Sequence, residues 1–200
     1  MSQLRIAVIP VGKVESAEVE AAMVRVGKGL RRPIELKGSL NVPQGIEDTE
    51  RNQFRASTMM KRLRSMVAQL GPGKMVGAEN EAASKPPLVT DAYIFVTDVD
   101  LHTANSDAVF SALMSAKKLA VVSVRRLREA HYRRKADPVK QRTRLVKELL
   151  RMAARLQSHP QCPSPKCVLA ASKMFADLDL KDERFCRDCT QRIFEGTIRI

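Results

Sequence analysis

The chain has 200 residues, 44% of them hydrophobic, which is enough for one domain with a core of its own. With no Trp, six Phe and two Tyr that core must be aliphatic, and no apolar run approaches the roughly 20 residues of a membrane-spanning helix. The formal net charge of +13, from 35 basic and 22 acidic residues, brings anionic partners such as nucleic acid, phosphate or acidic protein into consideration without specifying one.

Met1-Ser2-Gln3-Leu4-Arg5 leads into a β-like run and does not follow a signal-peptide pattern, so a soluble, cytoplasmic protein with no membrane partner is expected. Leu4–Pro10 reads as a buried strand stopped by Pro10 and Gly12. Val19, Ala22, Met23, Val26 and Leu30 recur at helical spacing and predict a helix over 15–30, ending near Gly29 and Pro33. A short strand follows at Ile34–Leu36. Phe54, Met59, Leu63, Met66 and Leu70 predict a second helix from Thr49 to Leu70, stopped by Gly71-Pro-Gly73. Residues 71–87, rich in Gly and Pro, read as a loop. Leu88-Val89 with Ala92–Thr97, and then Leu119–Ser123, read as strands. Asp137 followed by Pro138 is a helix start, a capping acceptor with Pro at the first helical position. That helix should reach about Ser158, with Val146, Leu149, Leu150, Ala153 and Leu156 facing the core. Alternating strands and helices predict an α/β domain over 1–200 with a twisted mixed sheet packed with helices.

Cys162, Cys167, Cys186 and Cys189 follow the spacing C-x4-C-x18-C-x2-C. Two close pairs separated by a longer stretch are the usual pattern of a tetrahedral four-thiolate zinc site. Four thiolates leave no open position for water, so one structural Zn2+ is expected to staple the C-terminal segment 160–200. Lys166, Lys181, Arg184 and Arg187 flank the ligands and would offset their negative charge. Two disulfides are the other reading, open to an intracellular protein of an extreme thermophile. On the preceding helix Lys140, Arg144, Lys147, Arg151 and Arg155 recur every three or four residues and share a face. Such a stripe suits phosphate, carboxylate or nucleic acid, or it is a solvated face partly neutralised by Glu148. Aromatics for stacking on bases are scarce, so a nucleic-acid complex would rest on backbone contacts and weaken steeply with salt.

The helix running into these cysteines resembles the archaemetzincins, a family of metzincin-like zinc metallopeptidases with the pattern HExxHxxGxxHC-x4-C-x-M…C-x2-C. Supporting segments are Asp98-Val-Asp-Leu101, Val122-Ser-Val-Arg-Arg-Leu127, Lys147-Glu148 and Arg51-Asn-Gln-Phe54. The resemblance implies a metzincin-like fold over nearly the whole chain, with the four cysteines on a second, structural zinc. Carried across without gaps from Cys162, the first catalytic His falls on Arg151, the general-base Glu on Met152 and the second His on Arg155. The Gly falls on Ser158, the third His on Gln161 and the family Met on Leu169. Guanidinium has no lone pair for a metal and stays protonated, and a thioether accepts no proton. The resemblance therefore implies an inactive member with no catalytic zinc. Arg151 and Arg155 would lie in the floor of the cleft, where they could bind a peptide or an anionic ligand. Of the three histidines, His102 and His131 read as surface residues, and His159 has no second His at helical spacing. A peptidase with an unorthodox metal site and a basic nucleic-acid- or phosphate-binding protein are the competing readings.

Overall fold

The structure is a computed structural model that describes residues 4–70 and 90–195. Four parallel strands form its centre: β1 (Ile6–Val11), β2 (Glu35–Leu36), β5 (Ala92–Thr97) and β8 (Leu119–Ser123). β7 (Ser111–Met114) runs antiparallel to β8, and the sheet order is β2-β1-β5-β8-β7. A smaller sheet is built from β3 (Glu47–Asp48), β4 (Gln53–Arg55) and β6 (Leu101–His102). Every residue of β1, β5 and β8 is buried, as expected of parallel strands covered on both faces. Strand alternation divides these side chains between two cores. Ile6, Val8, Ile94, Val96 and Val122 face α1 (Ser16–Leu30) and α3 (Pro138–Leu156). Ile9, Phe95, Leu119 and Val121 face α2 (Ala56–Leu70).

The residues that start and stop these elements act as the chain order suggests. Asp137 Oδ1 accepts the Lys140 N–H at 2.9 Å and caps α3, with Pro138 in its first turn. α1 ends where Arg31 takes a left-handed conformation, φ 54°. Gly29 lets α1 and α3 approach closely, because a Cβ there would lie 2.8 Å from Leu150 Cδ2.

The second helix begins later than its periodicity suggests. Residues 53–55 form β4 instead, and Phe54 pairs with Leu101 rather than extending a helix face. The Phe54 N–H donates to the Asp100 carbonyl at 2.9 Å, a tertiary hydrogen bond that outweighs local helical periodicity. Strands β3, β6 and β7 have two to four residues, too short for a pattern of period two to show. The Gly- and Pro-rich stretch 71–87 and Leu88-Val89 lie outside the described residues. Among the described residues no helix is long and apolar enough to cross a membrane.

Three distant segments meet at Asp100. Its carboxylate accepts from Arg126 Nε (2.5 Å) and Nη2 (2.6 Å) and from Gln53 Nε2 (3.0 Å). Burial opposes the charge, but these hydrogen bonds and the Arg126 charge hold the carboxyl below its usual range. The contact fastens the small sheet to the end of β8 and joins the Arg51–Phe54, Asp98–Leu101 and Val122–Leu127 segments in one network.

Candidate metal centre

After α3 the chain turns sharply. Ser158 adopts a left-handed backbone, φ 69°, and the His159 N–H returns to the Ala154 carbonyl at 3.2 Å. The chain then reaches Cys162, whose N–H donates to the Leu169 carbonyl at 3.2 Å, and turns again so that the Cys167 N–H meets the Ser164 carbonyl at 3.1 Å. Cys186 precedes the short α5 (Arg187–Thr190) and donates its N–H to Cys167 Sγ at 3.4 Å, while Cys189 lies inside that turn. All four cysteines are free, and their Sγ atoms lie within 4.8 Å of one another. Cys162 and Cys186 Sγ are 3.7 Å apart, far beyond a disulfide bond of about 2.05 Å. A zinc with Zn–S bonds of about 2.3 Å would set tetrahedral sulfurs roughly 3.8 Å apart, so the cluster fits a metal ion of that size. Burial pushes the Cys167 and Cys189 thiols up, whereas the Cys189 N–H holds Cys186 down.

One cation touching this centre escaped the sequence reading: Arg192 Nη2 donates to Cys189 Sγ at 3.1 Å. It lies three residues past Cys189 on the following π-turn, Gln191–Glu195, and that spacing was the available signal. Lys166, Arg184 and Arg187 are exposed near the ligands. Lys181 is not one of the offsetting cations, because it is buried against Glu148 at 3.7 Å.

The basic stripe of α3 is not a solvated face. Arg144 is 0% exposed and fully engaged within the protein. Its Nε and Nη2 meet Asp179 Oδ1 and Oδ2 at 2.6 Å each, Nη2 meets Glu129 Oε1 at 2.7 Å, and Nη1 donates to the Leu127 carbonyl at 2.8 Å. Lys147 Nζ donates to the Leu178 carbonyl at 2.9 Å, at the end of α4 (Phe175–Leu180). Lys140 bridges Glu129 (3.2 Å) and Asp179 (3.3 Å). The anions this stripe binds belong to the chain itself, and the stripe docks the segment that carries the cysteines. One turn further, Arg151 Nη2 donates to Glu148 Oε2 (2.7 Å) and to Ser111 Oγ on β7 (2.6 Å). Arg155 Nη1 donates only to the His159 carbonyl, at 3.2 Å, and makes no ion pair among the described residues.

The model of peptidase family M54 matches residues 40–195. The chain belongs to peptidase family M54. The archaemetzincin of Methanocaldococcus jannaschii is 24% identical over 98% of this chain and 97% of its own length. That of Saccharolobus islandicus is 32% identical over 52% of this chain and 55% of its own. Among solved structures, a zinc-dependent peptidase from Methanocorpusculum labreanum superposes with a TM-score of 0.80 at 23% identity, covering 94% of this chain and 99% of that one. The Archaeoglobus fulgidus archaemetzincin, complexed with malonate, gives 0.70 at 22% identity, covering 94% and 99%.

The archaemetzincin motif can now be placed position by position. Ser158, on which the motif Gly falls in the gapless placement, has a left-handed backbone, a region that favours glycine. Met152, at the general-base position, is 2% exposed in the core shared by α1 and α3. Arg151 is held by Glu148 and Ser111, Arg155 by a carbonyl, and Gln161 is exposed. His131 is exposed as expected, but His102 is buried, with Nε2 3.5 Å from Asp48 Oδ2. His159 is pushed towards its neutral form by burial and by Arg192 and Arg32. Among the described residues the four cysteines are the group of His, Cys, Asp and Glu whose ligand atoms converge.

Proposed function

We propose that this chain is a non-hydrolytic archaemetzincin that holds one structural zinc on Cys162, Cys167, Cys186 and Cys189 and has no catalytic zinc. On this reading its former cleft takes a peptide or an anionic ligand. The observation that carries the reading is the chemistry of α3: a buried thioether stands at the general-base position, between guanidinium groups at both helical ligand positions. A guanidinium offers a metal no lone pair, and its positive charge repels a dication. The charge of Arg151 is met by Glu148, whereas Arg155 has no counter-charge among the described residues, which supports an anionic group nearby.

The test has three parts: zinc per chain by elemental analysis, a thiol count, and cleavage of a peptide library. One zinc, four free thiols and no cleavage are expected. Two zincs, with cleavage stopped by a chelator that spares the thiolate-bound ion, would reopen the peptidase reading. Malonate, the ligand complexed with the Archaeoglobus fulgidus relative, is the first probe for the cleft. Malonate binding should weaken in Arg155→Gln, and equal affinity in that variant would remove Arg155 from the site. The nucleic-acid alternative retains Lys61, Arg62 and Arg64, exposed on α2, but the inward face of α3 gives it no support. Binding to random oligonucleotides that falls steeply with salt would favour it.

A further inference from the structure

At the edge of the main sheet opposite β7 a groove of about 590 Å³ lies between α1 and β2. Met23 and Val24 on α1 and Ile34 and Leu36 on β2 make its apolar lining, and Val24 is 58% exposed. Lys28, Arg31 and Arg32 lie where α1 ends and β2 begins, and Glu20 lies about three turns back along α1. None of the three cations makes an ion pair among the described residues. Arg31 stacks over Phe194 at 4.3 Å, and Arg32 Nη1 donates to the Leu4 carbonyl at 3.2 Å. Arg32 Nη2 is sealed from solvent with no hydrogen-bond partner among those residues, a costly state for a guanidinium.

Among the described residues β2 pairs only with β1, and the Lys37 N–H donates to the Val8 carbonyl, so Glu35 and Lys37 face β1. Strand alternation then turns the amide and carbonyl of Ile34 and Leu36 outwards, along the free edge. An edge with unpaired backbone groups, an apolar shelf and a cluster of cations at one end is the geometry by which an extended peptide joins a sheet.

We propose that this groove takes an extended peptide as an antiparallel strand on β2, its apolar side chains on Met23 and Val24 and its acidic C-terminal end against Lys28, Arg31 and Arg32. The antiparallel direction follows from the charges. It sends the peptide C-terminus to the start of β2, where the cations are, and the N-terminal amine towards Glu20. The site lies at the sheet edge opposite β7, and its strand-addition geometry does not use the reading of the cleft or of the metal.

The probe is a fluorescein-labelled peptide of alternating Thr and Val ending in two Glu, followed by fluorescence anisotropy with the full chain. Saturable binding is expected. It should weaken by about tenfold or more when the Glu pair becomes Gln with an amidated end, and likewise in Lys28→Glu. Val24→Asp should weaken it by spoiling the shelf, and Leu36→Pro by removing one outward N–H while the bonds to β1 remain. Each variant is checked for an unchanged circular dichroism spectrum, and Lys28→Glu and Val24→Asp, both at exposed positions, carry the test if Leu36→Pro does not fold. No saturable binding at millimolar probe overturns the proposal, as does equal binding of the acid-free probe. Binding that appears only after truncation at Glu195 also overturns it, because the groove would then be filled by residues 196–200 of the same chain.

Discussion

Two side chains of α3 and its exit turn state the local energetics most plainly. Ser158 holds φ 69° with a Cβ that disfavours that region, at a cost of about 1 kcal/mol. Ser158→Gly should therefore raise stability by up to about 1 kcal/mol in urea unfolding, less the extra freedom glycine gives the unfolded chain. A destabilised variant would mean that the hydroxyl matters more than the backbone. Glu148 is the sharper case. Its carboxylate is completely buried between Arg151 and Lys181 and also accepts from Ser111 Oγ at 2.6 Å. Glu148→Gln leaves the buried Lys181 and the largely covered Arg151 without a counter-charge and should cost about 3–5 kcal/mol, whereas the triple change Glu148→Leu, Arg151→Met and Lys181→Met should cost much less. Lys181 adds a pH signature. Burial pushes it down from 10.5 to about 8, with Arg151 and Lys147 acting the same way and Glu148 opposing. The unfolded chain keeps this lysine near 10.4. Between those values the unfolded state binds the extra proton, so this lysine makes stability rise from about pH 8 towards pH 10. Lys181→Met should lose that rise, measured as the difference between the two proteins across that window. An identical pH dependence would place the titration elsewhere.

At the scale of elements, the charged face of α3 is a docking strip. Arg144 and Lys147 reach the end of α4, and Lys140 joins Asp179 to Glu129, so three cations of one helix hold the segment that follows Cys167. Arg144→Met removes the two-point link to Asp179 and leaves that carboxylate to Lys140, while Glu129 keeps Lys140 and Arg134. Amide exchange should then accelerate over α4 while the sheet stays protected, and uniform exchange over the whole chain would contradict a local role. The sequence showed α3 completely, since an Asp–Pro cap and five core positions are local signals. It also showed β1, β5 and β8, whose burial on both faces writes continuous apolar runs. It could not show the direction of the basic stripe. Periodicity identifies a common face, but whether that face meets water or Asp179 is decided by a chain segment more than twenty residues away. β4 was misread for a related reason. Phe54 sits at helical spacing from Met59 and Leu63, and its N–H donating to the carbonyl of Asp100, remote in sequence, draws it into a strand. The four cysteines were legible because ligand spacing survives without knowledge of the fold. Arg192 was not, because its three-residue spacing from Cys189 is a weak signal that many surface cations share.

Across the whole molecule, the C-terminal segment is held by ion pairs to α3 and by the cysteine cluster that joins the exit of α3 to α5, with the Arg25–Glu183 pair, the Arg31–Phe194 stack and buried Leu169 and Leu178 adding smaller contacts. The sheet and the packing of α1 against α3 depend on neither. Metal removal should therefore loosen one part of the protein rather than all of it. Binding at a structural zinc is worth roughly 10–16 kcal/mol in peptide models, more than so short a segment can replace from its own core. If the cysteines hold zinc as proposed, its loss leaves buried thiols at Cys167 and Cys189 and removes the thiolate that Arg192 would face. A chelator strong enough to strip thiolate-bound zinc should lower Tm and open amide exchange over 160–195, while exchange in β1, β5 and β8 stays slow. Cys186→Ser with Cys189→Ser should reproduce that pattern without chelator, and adding chelator to the double variant should change nothing more. If stripping the metal leaves melting unchanged, the cluster is not a folding staple. If it exposes the central strands as well, the sheet relies on the C-terminal segment more than its own two-sided core suggests, and the division between a self-sufficient sheet and a metal-held segment is wrong.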